Sequence, residues 1–270
     1  MSALPIASAV VLAGRRSDVI DPLAAAHGVS DKCLVPVLGT PCIEHVLGAL
    51  SASPHIGPII VSINDPAILA GLPHADALIA AGRLTAIVAQ GNLADSVIAA
   101  AGVAPYPLFV TTADNVLMTP ASIADMVENA SAAHADAAAA FATKEAILAA
   151  HPEGQRRFYE FADGGYSNCN TYWIASADVL RVAEIFRSGG QFAKNPKRLI
   201  DAFGLLNILL FRWRWISLAS AMRRISKRMK LTLAPVIFAD GGYAIDVDNE
   251  RTHRCASEVM QRRIDALTKA

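Results

Sequence analysis

Short apolar runs alternate with longer amphipathic stretches through the first half of this chain. Residues 7–13 form a valine-rich apolar run that stops at Gly14, the pattern of a strand buried on both faces and followed by a loop. Ile43, Val46, Leu47 and Leu50 recur at helical spacing behind Pro41. They predict a helix over 41–50 with proline in its first turn. Residues 58–63 and 86–89 read as further strands, 95–101 as a helix and 107–112 as a buried strand. A helix over 120–133 follows, capped by Thr119, and the alanine-rich stretch 135–142 reads as a strand. This alternation predicts an α/β fold with three layers, helices covering both faces of a mostly parallel, Rossmann-like sheet. Ligands of such sheets gather at the carboxyl ends of the strands. That rule places the loops after Ala13, Ala89 and Thr112 on one rim.

From Phe158 the pattern changes. Residues 158–161 and 167–174 look like strands facing each other, and 177–186 like a helix. Residues 196–230 read as mostly helical, 231–238 and 243–247 as closing strands, and 250–267 as a final helix. Without an internal repeat or a low-complexity linker, 1–270 reads as one domain with a helical insertion at about 190–230.

Composition narrows the classes. Lys plus Arg and Asp plus Glu both number 24. Nucleic acid is therefore not expected as a partner, because backbone phosphates call for a basic excess. Cys33, Cys42, Cys169 and Cys255 show neither metal-type spacing nor a small-domain disulfide pattern, which fits reduced thiols and a cytoplasmic protein. The N-terminus lacks a basic region and a small-residue cleavage site, so no signal peptide is expected. The most apolar stretch, 199–219, is broken by Asp201, Arg212 and Arg214 and does not read as a membrane span.

Three places carry chemistry. Leu12, Ala13 and Gly14 end the first strand in small residues that let backbone N–H groups approach a phosphate chain, and Arg15 and Arg16 follow as neutralising cations. Asp114 ends a central strand, where a cation that bridges phosphates would sit. Asp246 and Asp248 stand two apart; in a strand both would face one cation, whereas one of them could instead cap the helix near Glu250.

Downstream of the first loop stands Lys32-Cys33-Leu34-Val35-Pro36-Val37-Leu38-Gly39-Thr40-Pro41, followed by the amphipathic helix. Together with Leu12-Ala13-Gly14, this resembles the nucleotidyltransferase superfamily of GT-A-like fold, which includes MobA-like and sugar-phosphate NTP transferases. Lys32, Leu34, Pro36, Val37, Gly39 and Pro41 fit its lysine-x-leucine-x-proline-valine-x-glycine-x-proline pattern. The chain departs from that pattern where Arg15 replaces a second glycine. The resemblance implies a Mg²⁺-dependent enzyme that transfers NMP from an NTP, CTP or GTP, to a phosphorylated small acceptor. A sugar phosphate, a polyol phosphate or a lipid head-group precursor would serve, and pyrophosphate would leave. It assigns Lys32 with Arg15 or Arg16 to the phosphates, and Asp114 and Asp248, with Asp246, to the metal. It places Gly91, Asn92, Ser96 and Ala113 beside the nucleotide and Asn170 over the acceptor. Lys194 is a further acceptor candidate, set against a plain solvated helix start.

Residues 199–230 fall outside that resemblance. Their leucines, tryptophans and cations fit packing or dimerisation first and a peripheral membrane contact second. A GT-A glycosyltransferase, a molybdenum-cofactor-type transferase and a non-catalytic nucleotide binder are the rival readings. A dehydrogenase is disfavoured, because no G-x-G-x-x-G follows the first strand.

Overall fold

The computed structural model describes residues 4–15, 20–180 and 204–269. Its main sheet has eight strands. Strand β1 (Ala7–Leu12) lies between β4 (Ile56–Ile63) and β6 (Leu108–Thr112), parallel to both. Beyond β4 comes β5 (Leu84–Val88), again parallel. On the other side β9 (Gly164–Ile174) runs antiparallel to β6 and to β7 (Ala137–Thr143). Strand β10 (Leu233–Phe238) closes that edge parallel to β7, and β8 (Tyr159–Phe161) pairs with β9 as a hairpin. A separate two-stranded hairpin, β2 (Pro36–Val37) with β3 (Thr40–Pro41), stands apart.

Alternation along β1 shows how the layers form. Ala7, Ala9 and Val11 point to one face, where α2 (Cys42–Ala52), α3 (Pro73–Ala80) and α5 (Pro120–Ala132) bring Leu47, Leu78 and Met126. Val10 points to the other face, against Val97 and Ala100 of α4 (Leu93–Ala101). A strand covered on both sides keeps no polar alternation, which is why 7–13 reads as continuously apolar. A third apolar cluster joins α1 (Pro22–Ala26), the small hairpin and α9 (Glu250–Thr268) above the rim. His253 Nε2 donates to the Pro36 carbonyl at 2.8 Å and ties the start of α9 to that hairpin.

The strands expected over 58–63, 86–89, 107–112 and 135–142 are present, and Thr119 caps α5 in a reciprocal box with Ser122. Three short helices were not expected: α1, α3 and α6 (Lys144–Ala150). Helix α3 is held from a distance, because the buried Glu44 carboxylate accepts from the backbone N–H groups of His74 and Ala75 at 2.9 and 3.2 Å. No local pattern announces such an anchor.

The strand expected over 243–247 is absent. Asp240 accepts from Gly242 N–H at 2.8 Å, which winds Gly241–Ala244 into a single 3₁₀ turn. Gly241 presses against α6 so closely that a Cβ there would meet the Ala146 backbone at 2.2 Å. Residues 245–248 then run without a strand partner. The helix expected over 177–186 begins as a 3₁₀ turn at Ala177–Val179, and residues 181–186 lie outside the described residues. The expected helical stretch 196–230 contains α7 (Leu205–Arg212) and α8 (Leu218–Met229), and its first part lies outside the described residues. Among the described residues no helix is long and apolar enough to cross a membrane.

Candidate active site

Parallel register brings the carboxyl ends of β1, β4 and β6 level, with Leu12 opposite both Ser62 and Thr112. Asp114 leaves this rim just beyond β6, after Ala113 has donated its N–H to the Leu12 carbonyl at 3.0 Å. Lys32 opens the 3₁₀ turn Lys32–Leu34, whose Cys33 is buried in the sheet core. From there the ammonium reaches Asp114 Oδ2 at 2.5 Å and Asp248 Oδ1 at 2.7 Å. Asp246 lies behind them, only 8% exposed, and accepts from Asn170 Nδ2 at 2.7 Å.

Packing aims the two later carboxylates. Ile245 and Val247 are fully buried in the cluster above the rim, so Asp246 and Asp248, alternating with them, turn the other way. The alternation of an extended segment survives although no strand forms. Val247 N–H donates to the Asp114 carbonyl at 3.1 Å and clamps this segment beside β6. Asn249, not an aspartate, caps α9 in a reciprocal box with Thr252. Both aspartates are thereby left out of helix capping.

Asn170 reaches Asp246 through a distortion of β9. Pairing with β7 slips between Ala139↔Tyr172 and Phe141↔Asn168, and Asn170 adopts a left-handed φ of 47°. Asparagine tolerates that conformation better than most residues, and bulges of this kind re-aim side chains next to active sites. Asn168 Oδ1 holds the bulge by accepting from Asn170 N–H at 2.6 Å and from the Tyr172 hydroxyl at 3.0 Å. Asn115, buried beneath it, donates to the Cys169 carbonyl at 3.0 Å.

Charge is crowded here. Burial, then the Asp114 and Asp248 carboxylates, push the Asp246 carboxyl well above its ordinary value, with Lys32 opposing them. Burial alone would lower the Lys32 ammonium; Asp114 and Asp248 override it and hold the lysine cationic. One ammonium thus faces three carboxyl groups. Among the described residues Asp114 Oδ1 and Asp246 Oδ1 are buried and have no hydrogen-bond partner. Buried polar atoms are ordinarily satisfied, and these two are the carboxylate oxygens among the buried atoms left without a partner in the described residues. Hard carboxylate oxygens with lone pairs to spare fit Mg²⁺. The nearby Cys33 and Cys42 thiols are pushed up to about 12, chiefly by burial, and are chemically quiet.

The opposite side of the rim differs. Gly14 sits so close to the end of β5 that a Cβ would lie 2.6 Å from Ala89 Cβ; its small size joins two loops. Arg15 donates its backbone N–H to Asn64 Oδ1 at 2.5 Å, and its guanidinium lies 3.1 Å from the buried Asp31. Asn92 caps α4 by accepting from Asp95 N–H at 2.9 Å, and Ser96 Oγ accepts from Gln90 N–H at 3.0 Å. Among the described residues nothing lies within 4 Å of a Cβ placed on Gly91. Arg16 and Lys194 lie outside the described residues.

The structure therefore brings Lys32, Asp114, Asp246, Asp248 and Asn170 together, while Arg15, Asn92 and Ser96 stand across the rim, each bonded to a nearby protein group. Sequence reasoning passed over Asp31, Asn64, Asn115 and Asn168. Asp31 adjoins Lys32, and Asn115 and Asn168 lie inside segments already singled out; only their partners, distant in the chain, give them roles.

A family profile described as the MobA-like NTP transferase domain matches residues 9–234. No curated relative matches the chain. Among solved structures, a hypothetical transferase from Thermus thermophilus is similar at 22% identity and a TM-score of 0.76, over 92% of this chain and 99% of that one. A 4-diphosphocytidyl-2C-methyl-D-erythritol synthase from Anaerococcus prevotii aligns at 10% identity and a TM-score of 0.59, over 96% of this chain and 97% of that one. A CMP:2-keto-3-deoxy-manno-octonic acid synthetase solved with CTP aligns at 13% identity and a TM-score of 0.57, over 96% of this chain and 99% of that one.

Proposed function

The chain belongs to the MobA-like NTP transferase family, enzymes that transfer a nucleotidyl group and release pyrophosphate, and we propose that its reaction runs at the cluster of Lys32, Asp114, Asp246 and Asp248. The donor is CTP or GTP, and the acceptor is a phosphorylated small molecule: a sugar or polyol phosphate, or a lipid head-group precursor. The neighbour solved with CTP makes CTP the first donor to test.

The observation that carries this reading is the pair of buried carboxylate oxygens without partners among the described residues, beside an ammonium shared by two carboxylates. Asp114 and Asp248, with Asp246, would hold Mg²⁺, which supplies Lewis-acid polarisation of the α-phosphate when bound. An acceptor phosphate oxygen attacks the α-phosphorus in line; the new O–P bond forms as the bond to the β-phosphate oxygen breaks, and pyrophosphate leaves. An ionised phosphate is already nucleophilic, so no general base is required. Catalysis by the protein is then positioning and charge neutralisation. Lys32 places its fixed cation where phosphate charge develops. Asn170, held in place by the bulge that Asn168 closes, orients Asp246 and is the residue offered to the acceptor.

Pyrophosphate release by the native protein and by Asp114→Ala, with CTP or GTP and a panel of phosphorylated acceptors, tests the assignment. Near-native turnover in the variant would remove Asp114 from the reaction.

A further inference from the structure

Between Asp201 and Asp240 the chain carries seven of its 24 cations and no acidic residue. The whole protein is neutral, so this local excess is compensated elsewhere in the molecule. On α8, Arg223, Arg224, Lys227 and Arg228 fall on one face and are all exposed. The opposite face turns Leu218, Met222 and Ile225 inward, and Ser226 Oγ accepts from Leu233 N–H of β10 at 2.9 Å. Sheet packing therefore covers the apolar face of α8 and leaves the cationic face outward.

The turn before α8 supplies the other half. Trp213 and Trp215 are 53% and 71% exposed, and their rings lie side by side, with centroids 5.3 Å apart. Arg212 and Arg214 alternate with them and are also exposed, and Leu206 of α7 is 62% exposed. Tryptophan indoles have an apolar body and a polar N–H, and burial ordinarily hides most of that area. Two adjacent indoles standing in solvent between arginines match the head-group region of a bilayer, where tryptophan concentrates and cations meet phosphate.

The turn is firmly built. Ala162 N–H donates to the Ile216 carbonyl at 3.0 Å, Leu218 N–H donates to Asp163 Oδ1 at 3.1 Å, and Phe211 meets Phe161 edge-on at 5.0 Å. These contacts fix it to the turn of the β8–β9 hairpin, at the end of the sheet where β7 finishes. The same hairpin continues into Asn168 and Asn170.

We propose that residues 204–230 dock this protein onto the surface of an anionic phospholipid bilayer. A second copy fits less well, because a two-fold contact through this surface would set seven cations against seven. A nucleic acid would use the cations and the indoles but not the exposed leucine. Vesicle binding does not depend on the carboxylate cluster, so it and the proposed reaction can fail separately.

The test is flotation of the full-length protein with vesicles of phosphatidylcholine alone and with about a third phosphatidylglycerol. Binding is expected to the anionic vesicles alone, weakening as salt is raised. Trp213→Ala with Trp215→Ala, and separately Arg223→Gln with Arg224→Gln, alter only exposed side chains and leave the fold intact by circular dichroism. At about fivefold per cation, the arginine pair should lower partitioning roughly 25-fold. Absence of flotation with anionic vesicles overturns the proposal. So does undiminished flotation of both double variants. Sedimentation showing a dimer broken by the tryptophan pair, or tighter binding to single-stranded DNA than to vesicles, also overturns it and assigns the surface to that partner.

Discussion

Among the described residues Asp114 and Asp246 each keep a buried carboxylate oxygen without a partner, while across the same rim Arg15, Asn92 and Ser96 each contact a protein group. Both sides sit at the carboxyl ends of parallel strands, and both carry residues that chemistry alone marks as ligand-binding. Their difference lies in what the fold leaves unsatisfied. On the carboxylate side one ammonium answers three carboxyl groups and demand remains. On the loop side Arg15, Asn92 and Ser96 have protein partners, and the buried atoms left there without a hydrogen bond among the described residues, Arg15 Nε and the Ser62 hydroxyl, are not carboxylate oxygens. Unmet carboxylate demand is what a metal ion would answer, whereas the loop residues already have protein partners. Substitutions on the two sides should consequently fail in different ways.

The largest effect is expected on the carboxylate side. Asp114→Ala should lower turnover by at least about 10³-fold while the folded protein persists, as read by pyrophosphate release and circular dichroism. Lys32→Met should lower turnover by roughly 10²–10³-fold, and it also removes the ammonium that pairs with the Asp248 carboxylate. Its melting temperature should drop when divalent cation is absent and recover when Mg²⁺ is added. A drop that Mg²⁺ does not repair would make Lys32 structural.

Asp31→Ala should show the opposite balance. It leaves the Arg15 guanidinium without its partner, and the expected cost is about 1–3 kcal/mol of stability, with Mg²⁺ affinity unchanged. Denaturant unfolding beside a Mg²⁺ titration checks this, and weakened Mg²⁺ binding would blur the two sides.

Asp246→Asn should raise stability when metal is absent. The folded-state pKa of Asp246 stands above its unfolded value, mainly through burial. Its favourable contribution is therefore complete below the ordinary carboxylate range and is lost as pH rises. Removing the ionisable group should raise the metal-free melting temperature at neutral pH by about 2 °C for each kcal/mol relieved, with little change in acid. An equal shift at both pH values would remove the electrostatic cause. The smallest effect belongs to Ser96→Ala, which loses one loop hydrogen bond, worth about 1 kcal/mol, and should barely move turnover.

Much of this architecture is legible in the chain. Apolar runs marked the inner strands because a strand covered on both faces has no polar alternation. Asp114 was readable from its place at a strand end and Asp246 with Asp248 from their spacing of two, while Lys32 came with the resemblance carried by residues 32–41. What escaped depends on distant partners. Asp31 acts through Arg15, Glu44 through α3, and Asn168 through a bulge that only the β7–β9 pairing creates. The strand expected over 243–247 failed for a related reason: apolar alternation there reflects packing against α9 and the small hairpin, not sheet pairing.

Pyrophosphate release by the intact protein, measured with each of the four NTPs, with and without Mg²⁺ and with and without a phosphorylated acceptor, tests the central claim most directly. Release that needs Mg²⁺ and an acceptor together, with CTP or GTP as donor, is the predicted result. Tight NTP binding with no release under any combination would contradict it and describe a protein that holds nucleotide without reacting it.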